Sequence, residues 1–378
     1  MKGPGHRIWL VAIAIGIGGV VVASGQEEKT VVKETLAKLE ALTTQLRAQK
    51  TQKGRQPEVL PPSSSTRDEE ETLNRLTRES VSLRQALGGE LAPKAIYGVD
   101  DRRNYDHPQV TNWQRRGADS TVVLVDMQNL IPSADGASFD LRGGNILGSD
   151  GSGLCTPAQA EGLGKPEEPF YDEPNPGFCS GFRVGSDRIA TAGHCLKTEA
   201  QCTRTRFIAN FYKTIGGSPE KHVPASDVYA CKRLLDGKLT TDGPDWRLAQ
   251  LDRPMKSGMN VRLRQLGQEP QLQSGDGVTV IGYPLGLPVK IAAGAVVRGF
   301  GKGFFIANLD TYEGNSGSAV FNTEQLTKGD MLVEGILVRG EKDFDVKTPC
   351  FVSKRCTVAG CRGEDVTLAS EFAAAAGR

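Results

Sequence analysis

The residues of this chain that could do chemistry stand in three short motifs, each centred on a different side chain. His194 ends the segment Ile-Ala-Thr-Ala-Gly, Asp245 begins Asp-Trp-Arg-Leu-Ala-Gln-Leu, and Ser316 lies in Gly-Asn-Ser-Gly-Ser. A serine hydroxyl is a poor nucleophile at neutral pH, so an adjacent base must accept its proton as it attacks a carbonyl carbon. Histidine titrates near neutrality and suits that task, and a carboxylate holds its ring in the correct tautomer. The combination predicts nucleophilic catalysis through an acyl-enzyme.

Only one of the 4 histidines stands where such a base is needed. His194 ends an apolar strand segment, whereas His6 lies in a predicted signal sequence. His107 precedes a proline and His222 leads into Val-Pro, so both belong to polar connecting segments. We therefore predict that His194 is the base.

Three aspartates compete for the orienting carboxylate. Asp242-Gly-Pro and Asp252-Arg-Pro are typical of turns, and they open and close the segment that Asp245 begins. Asp245 is followed by apolar residues of a predicted strand, so its carboxylate is the predicted partner of the histidine.

The glycine two residues before the serine is as important as the hydroxyl. Gly314 lets the backbone turn, so that the N–H groups of residues 314 and 316 can converge on the oxyanion that forms during attack. Ser318 is the alternative nucleophile, but it begins the next strand and lacks the same glycine setting. The motif also differs from the Gly-x-Ser-x-Gly elbow of α/β-hydrolases.

The order His194, Asp245, Ser316 along the chain differs from the order in subtilisin and in α/β-hydrolases. The three motifs together resemble the trypsin-like (chymotrypsin-fold) serine endopeptidases, and most closely secreted bacterial members related to glutamyl endopeptidases. The resemblance covers roughly residues 93–378. It implies an all-β fold of two antiparallel six-stranded barrels, protein or peptide substrates, and catalysis with no metal and no organic cofactor. Arg247 departs from the family pattern, which has a small residue there.

The resemblance also implies a disulfide between Cys179 and Cys195, which would brace the histidine. Cys202 and Cys231 are a reasonable second pair by proximity in the sequence. The chain has 8 cysteines, which allow about a hundred connectivities, so the remaining four stay unassigned. These are Cys155, Cys350, Cys356 and Cys361. A zinc site on the last three is disfavoured because they lack a Cys-x2-Cys knuckle and a nearby histidine.

Asp310 precedes Ser316 by the interval that, in trypsin-like enzymes, separates the base of the primary specificity pocket from the nucleophile. A buried carboxylate there would favour Arg or Lys substrates. The alternative is that Asp310 only caps the following turn. Glutamyl endopeptidases carry a histidine in the strand beside this pocket; here that strand has Leu337, Val338 and Arg339, so acidic specificity would require Arg339 to turn inward.

The elements that must position these residues are predicted to be short strands separated by turns. Gly 45 and Pro 20 indicate a turn-rich chain, and β-branched runs such as Ser120–Val125 are typical of strands. Residues 133–177 are rich in Gly, Pro and Ser and are predicted to form a long surface insertion. Further strands are expected around residues 178–184, 205–212, 278–283, 289–297, 304–309, 318–321 and 332–338.

The first quarter of the chain lies outside the resemblance. Residues 1–25 have the charged, apolar and small-residue parts of a secretory signal, with an uncleaved anchor as the alternative. Residues 26–92 contain two helical patterns around a Pro/Ser-rich linker, which fits a helical or coiled-coil appendage, a self-associating stalk or a pro-region. We therefore expect a secreted or periplasmic protein with its protease domain at 93–378, with no membrane contact after signal cleavage.

Net charge is +1, so nucleic acid is not an expected partner. A serine endopeptidase is the leading hypothesis. A catalytically inactive protease-fold binding protein on a helical stalk is the alternative, and an esterase on the same fold stays open.

Overall fold

The computed structural model describes residues 95–142, 153–212, 222–341, 343–346 and 350–377. The predicted signal sequence and the whole of the predicted helical appendage, residues 26–92, therefore lie outside the described residues. The strands, in chain order, are β1 (Ile96–Tyr97), β2 (Arg102–Asn104), β3 (Thr121–Asp126), β4 (Leu130–Pro132), β5 (Ser138–Leu141), β6 (Gly177–Gly185), β7 (Arg188–Thr191), β8 (Thr205–Ile208), β9 (His222–Pro224), β10 (Val228–Leu239), β11 (Asp245–Leu251), β12 (Arg262–Leu263), β13 (Gly277–Gly282), β14 (Lys290–Phe300), β15 (Phe304–Ala307), β16 (Ala319–Asn322), β17 (Leu332–Arg339), β18 (Phe344–Val346), β19 (Val352–Ser353), β20 (Arg355–Cys356) and β21 (Glu364–Leu368).

Six strands form a closed antiparallel barrel in the order β10-β11-β7-β6-β3-β8, and β8 closes it by pairing with β10. The sequence of β3, Thr-Val-Val-Leu-Val-Asp, explains its central place, because β-branched residues suit a strand that is buried on both faces. Val122 to Val125 are fully buried in that strand. This barrel carries both His194 and Asp245.

A second closed antiparallel barrel follows, with the order β17-β16-β13-β14-β15-β21 and a closing pair between β21 and β17. Two short strands extend it: β12 runs parallel to β17, and β2 pairs with β14. The turn that carries Ser316 lies between β15 and β16 of this barrel. The predicted all-β fold of two antiparallel six-stranded barrels is confirmed.

Short helices connect the strands: α1 (Asn112–Asp119), α2 (Pro157–Gly162), α3 (Glu199–Arg204), α4 (Thr323–Thr327) and α5 (Ala373–Ala376). Single 3-10 turns lie at Met127–Asn129, Ala225–Asp227, Pro284–Gly286 and Ala369–Glu371. The first three helices share one start signal, a threonine whose hydroxyl accepts from a backbone N–H three residues on while the glutamine there reaches back. Within the described residues, no helix is long and apolar enough to cross a membrane.

The predicted surface insertion over residues 133–177 is only partly a surface segment in its described second half: residues 161–167 are exposed, but the residues on either side of them are tied to the rest of the protein. Cys155 is bonded to Cys350, and α2 follows directly. Glu173 is buried and forms an ion pair of 2.5 Å with Lys290 of the second barrel. Composition cannot reveal this, because a Gly/Pro-rich segment looks like a loop whether or not long-range bonds pin it down.

Candidate active site

His194 and Asp245 meet because of the register of two neighbouring strands. Arg247 on β11 lies opposite Thr191 on β7, so the start of β11 faces the end of β7. The backbone N–H of His194 donates to Asp245 Oδ1 (3.1 Å), and Nδ1 lies 2.7 Å from Oδ2. A Cβ on Gly193 would lie 2.8 Å from Asp245 Oδ1, so only glycine at that position lets the carboxylate come this close.

The carboxylate is buried, while the ring it orients reaches solvent. The exposed fraction of the side chain is 4% for Asp245 and 34% for His194. Thr367 of the second barrel is hydrogen-bonded to the backbone of Asp245: Asp245 N donates to Thr367 Oγ1 (3.0 Å), and Thr367 Oγ1 donates to Asp245 O (3.2 Å). Nδ1 is thereby fixed on the carboxylate, which leaves Nε2 as the nitrogen for proton transfer.

Arg247, the departure from the family pattern, lies away from the carboxylate. Its Nε donates to the carbonyl of Leu196 at 3.0 Å, and its guanidinium covers Gly237 on β10. It therefore does not disturb the placement of Asp245.

Ser316 lies in a turn that two glycines make possible. Gly314 has φ 90° and Gly317 has φ 94°, both in the left-handed region where a side chain is strained. Space excludes side chains as well: a Cβ on Gly314 would lie 2.8 Å from Gly286 N, and one on Gly317 would lie 1.9 Å from Ser180 O. The turn is therefore pressed directly onto neighbouring backbone.

A disulfide lies close to both the histidine and the serine. The sulfurs of Cys179 and Cys195 are bonded, and both lie within 4.8 Å of a His194 ring nitrogen. Cys195 Sγ is also 3.6 Å from the carbonyl oxygen of Ser316. The Ser316 side chain lies beside strand β17, with Oγ 3.4 Å from Val338 O. His194 and Ser316 thus both lie next to the same disulfide. Because both sulfurs are oxidised, this cluster cannot bind a metal through thiolates.

Peptide orientation around the serine follows from the bonds to neighbouring elements. Glu313 O accepts from Leu285 N (2.5 Å), and Asn315 O accepts from Ser318 N (2.9 Å). In a trans peptide the N–H points opposite to the C=O. The N–H groups of residues 314 and 316 are therefore turned away from these two donors, as a shared oxyanion site requires.

The hydroxyl of Ser318 makes a structural hydrogen bond inside the protein. It is fully buried, and its hydroxyl donates to Asn315 Oδ1 (3.1 Å). This bond fixes the asparagine beneath the turn.

Asp310 is buried, and both of its carboxylate oxygens are already hydrogen-bonded. Its Oδ1 accepts from Tyr97 N (2.6 Å) and its Oδ2 from Asp101 N (2.9 Å), so both oxygens hold the segment that leads into the first strands. Burial, followed by the nearby Asp101 carboxylate, raises the pKa of Asp310 from its ordinary 3.8 to about 8. Both oxygens therefore bond a distant segment rather than the turn that follows Asp310. A role of Asp310 in the specificity pocket stays a prediction.

Arg339 is also engaged. Its Nε lies 3.1 Å from Asp365 Oδ2, and its Nη2 donates to Gly243 O at 2.6 Å. Leu337 and Val338 are buried. The guanidinium does not turn inward as acidic specificity would require.

Sequence reasoning missed Glu364, a fully buried carboxylate close to the end of β17. A Cβ on Gly340 would lie 1.7 Å from Glu364 Oε2. Tyr97 links this group to Asp310, because its hydroxyl donates to Glu364 Oε1 (3.1 Å) while its N–H bonds Asp310. No local motif marks Glu364; it is brought here because β21 pairs with β15, where Glu364 lies opposite Ala307, and with β17.

Every cysteine is paired, and all of them lie in the described part of the chain. Besides the bridge at His194, Cys202 is bonded to Cys231. The four cysteines that the sequence left unassigned form Cys155–Cys350 and Cys356–Cys361. The zinc alternative on Cys350, Cys356 and Cys361 is therefore wrong.

The comparison with known families matches the part of the chain that carries the three predicted catalytic residues. Residues 179–327, which contain His194, Asp245 and Ser316, match the family model described as the trypsin-like peptidase domain. No curated protein matches the sequence. Among solved structures, an inactivated protease paralogue of the scabies mite is similar at 13% identity and TM-score 0.38, over 70% of this chain and 95% of that one. The VesB protease of Vibrio cholerae is similar at 13% identity and TM-score 0.39, over 74% of this chain and 66% of that one.

Proposed function

We propose that this protein is an exported serine endopeptidase in which Ser316 is the nucleophile, His194 the general base and Asp245 the orienting carboxylate. The observation that carries the proposal is the double contact of His194 with the buried Asp245, at 3.1 and 2.7 Å, together with a disulfide that lies close to both His194 and Ser316. That arrangement leaves one ring nitrogen, Nε2, for the serine proton.

In the proposed reaction, Ser316 Oγ attacks the carbonyl carbon of a peptide bond and gives its proton to His194 Nε2. Asp245 stabilises the imidazolium that forms. The N–H groups of residues 314 and 316 bind the oxyanion of the tetrahedral intermediate. As that intermediate collapses, His194 returns the proton to the leaving amine, and an acyl-enzyme remains. Water, deprotonated by His194, then releases the acid and restores the serine.

We also propose a preference for Arg or Lys substrates, now based on a second buried acidic residue besides Asp310. Two buried acidic side chains, Asp310 and Glu364, are both hydrogen-bonded to Tyr97, and Glu364 lies beside Gly340 after β17. We infer that the acidic Glu364 supports a cationic side chain and opposes an acidic one, whereas Asp310, with its pKa raised to about 8, adds little charge at neutral pH. Paired assays with Arg-ending and Glu-ending chromogenic peptides test this, and efficient cleavage after Glu would refute it.

Export is supported by the four disulfides, because such bonds form and persist in oxidising compartments. We propose a secreted or periplasmic location and, from the Gly-Asn-Ser-Gly-Ser motif, a relation to the glutamyl endopeptidase-like group. N-terminal sequencing of the mature protein tests for a signal cleaved near residue 25; an intact Met1 would contradict it.

The proposal is tested by turnover of a quenched fluorescent peptide library. Wild type should hydrolyse members of the library, and Ser316→Ala should not. Ser318→Ala is the matched control, since it removes a neighbouring buried hydroxyl that bonds Asn315. Loss of turnover in the control together with retention in Ser316→Ala would show that the wrong serine was chosen. A folded wild type that hydrolyses nothing would favour the protease-fold binding protein.

A further inference from the structure

Ser180 is a fully buried residue of β6 whose polar atoms converge on the turn that carries Ser316. Its N–H donates to Ser316 O (2.8 Å), and its hydroxyl donates to Gly314 O (2.9 Å). The same hydroxyl accepts from Tyr283 N (2.9 Å). Its carbonyl accepts from Thr191 Oγ1 (2.6 Å). One side-chain oxygen therefore joins the serine turn to a second loop.

These contacts cross between the two barrels. Ser180 belongs to the first barrel, while the serine turn and the loop that begins at Tyr283 belong to the second. Gly314 packs directly on the backbone of the loop Pro284–Gly286, since a Cβ on Gly314 would lie within 3.0 Å of two backbone atoms of that loop and of the carbonyl oxygen of Tyr283. Ser180 is thus hydrogen-bonded both to the turn that carries Ser316 and to Tyr283 at the start of this loop.

The chemistry of the hydroxyl suits this position. A buried backbone C=O and a buried N–H each need a partner, and a hydroxyl both donates and accepts. Gly314 has no side chain and a positive φ, so its peptide would otherwise have wide rotational freedom. A bond on its carbonyl limits that rotation, and the same peptide unit carries the N–H of Asn315, the residue that leads to Ser316.

We propose that Ser180 is a positioning residue for the nucleophile: its hydroxyl holds the Gly314 carbonyl against the 283–286 loop, so that the serine and its oxyanion N–H groups keep one geometry. The inference rests on the proposed role of Ser316 as nucleophile. Ser180 touches neither the substrate nor His194 in this scheme; it acts through the peptide of Gly314.

The test compares Ser180→Ala with Thr205→Val in the full-length protein. Thr205 is also a buried strand hydroxyl, but it donates to Gln201 O (2.8 Å), away from the serine turn. Two measurements are made on each variant: kcat and KM on one peptide across pH, and amide hydrogen exchange of the segment 311–318. Ser180→Gly is the second variant in case the alanine form does not fold.

For Ser180→Ala we expect kcat to fall at least about tenfold, since small misplacements of reacting groups cost up to about a hundredfold in rate. KM and the pH midpoint of kcat should stay unchanged, because substrate contacts and the His194–Asp245 pair are untouched. Hydrogen exchange in 311–318 should become faster, and Thr205→Val should show neither effect.

Unchanged exchange in 311–318 would overturn the inference, whether or not kcat falls, and so would faster exchange with kcat within about twofold of wild type. A wild type without turnover would instead refute the proposed function. Hydrogen exchange would then still decide whether the hydroxyl holds the turn.

Discussion

Replacing Asp245 with asparagine changes one oxygen to a nitrogen and should remove most of the turnover without unfolding the protein. Both carboxylate oxygens accept hydrogen bonds, Oδ1 from the backbone N–H of His194 and Oδ2 from the ring Nδ1. An asparagine can accept only one of them. Since the backbone N–H is a fixed donor, the amide oxygen should face it and the NH2 group should face Nδ1. Nδ1 must then accept, which places the ring proton on Nε2, and the histidine can no longer take the serine proton.

A wrong tautomer of this kind costs roughly 10⁴ in kcat in serine proteases, which corresponds to about 5 kcal/mol of transition-state stabilisation. Steady-state kinetics of Asp245→Asn measures the loss, and thermal unfolding checks that the fold is intact. Asp242→Asn is the matched control, because Asp242 is exposed and lies three residues upstream. Near-normal kcat in Asp245→Asn, with a large loss in the control, would refute the assignment of the carboxylate.

Three further predictions follow from the same contacts. Ser316→Ala and His194→Ala should each abolish most turnover, and the double variant should be little worse than either, because the two groups act as a unit; additive losses in kcat would contradict this. Replacing Cys179 and Cys195 together by serine opens a loop with a sequence separation of 16. Urea titration should then show that the free energy of unfolding falls by about 3 kcal/mol. An unchanged midpoint of the urea unfolding curve would argue against a structural brace. The pKa of Asp310 in the folded protein is raised to about 8, so the stability that its proton contributes is fully present below about pH 4 and is lost as pH rises through about 8. Asp310→Asn cannot titrate, so the melting temperature of this variant should fall less steeply than that of wild type over that pH range. An equally steep fall would refute the raised pKa.

The barrel architecture was open to prediction because its signals are local. β-branched runs such as Thr121–Asp126 and frequent glycine turns indicate short strands, and the structure has them in two closed barrels. The motifs of His194, Asp245 and Ser316 are equally local, since each consists of a few consecutive residues with a distinct chemistry. Their distances depend on strand register, which only the structure provides.

The contacts that the sequence did not reveal are all long-range. Ser180 is one serine among many in the sequence, and nothing nearby shows that it meets Gly314 in the other barrel. Asp310 has the sequence position expected of a pocket base, but Tyr97 and Asp101, more than two hundred residues upstream, occupy its oxygens. Position relative to the nucleophile therefore failed to predict what this carboxylate binds.

The central claim is that Ser316 becomes covalently attached to the acyl group of a substrate. Incubation of the folded protein with a fluorophosphonate, followed by peptide mass mapping, tests this most directly, because such a reagent reacts with an activated serine and stays attached. We predict one adduct per molecule, on the peptide that contains Ser316, and no adduct in His194→Ala or Ser316→Ala. An adduct on any other residue, or none on protein shown to be folded, would contradict the claim.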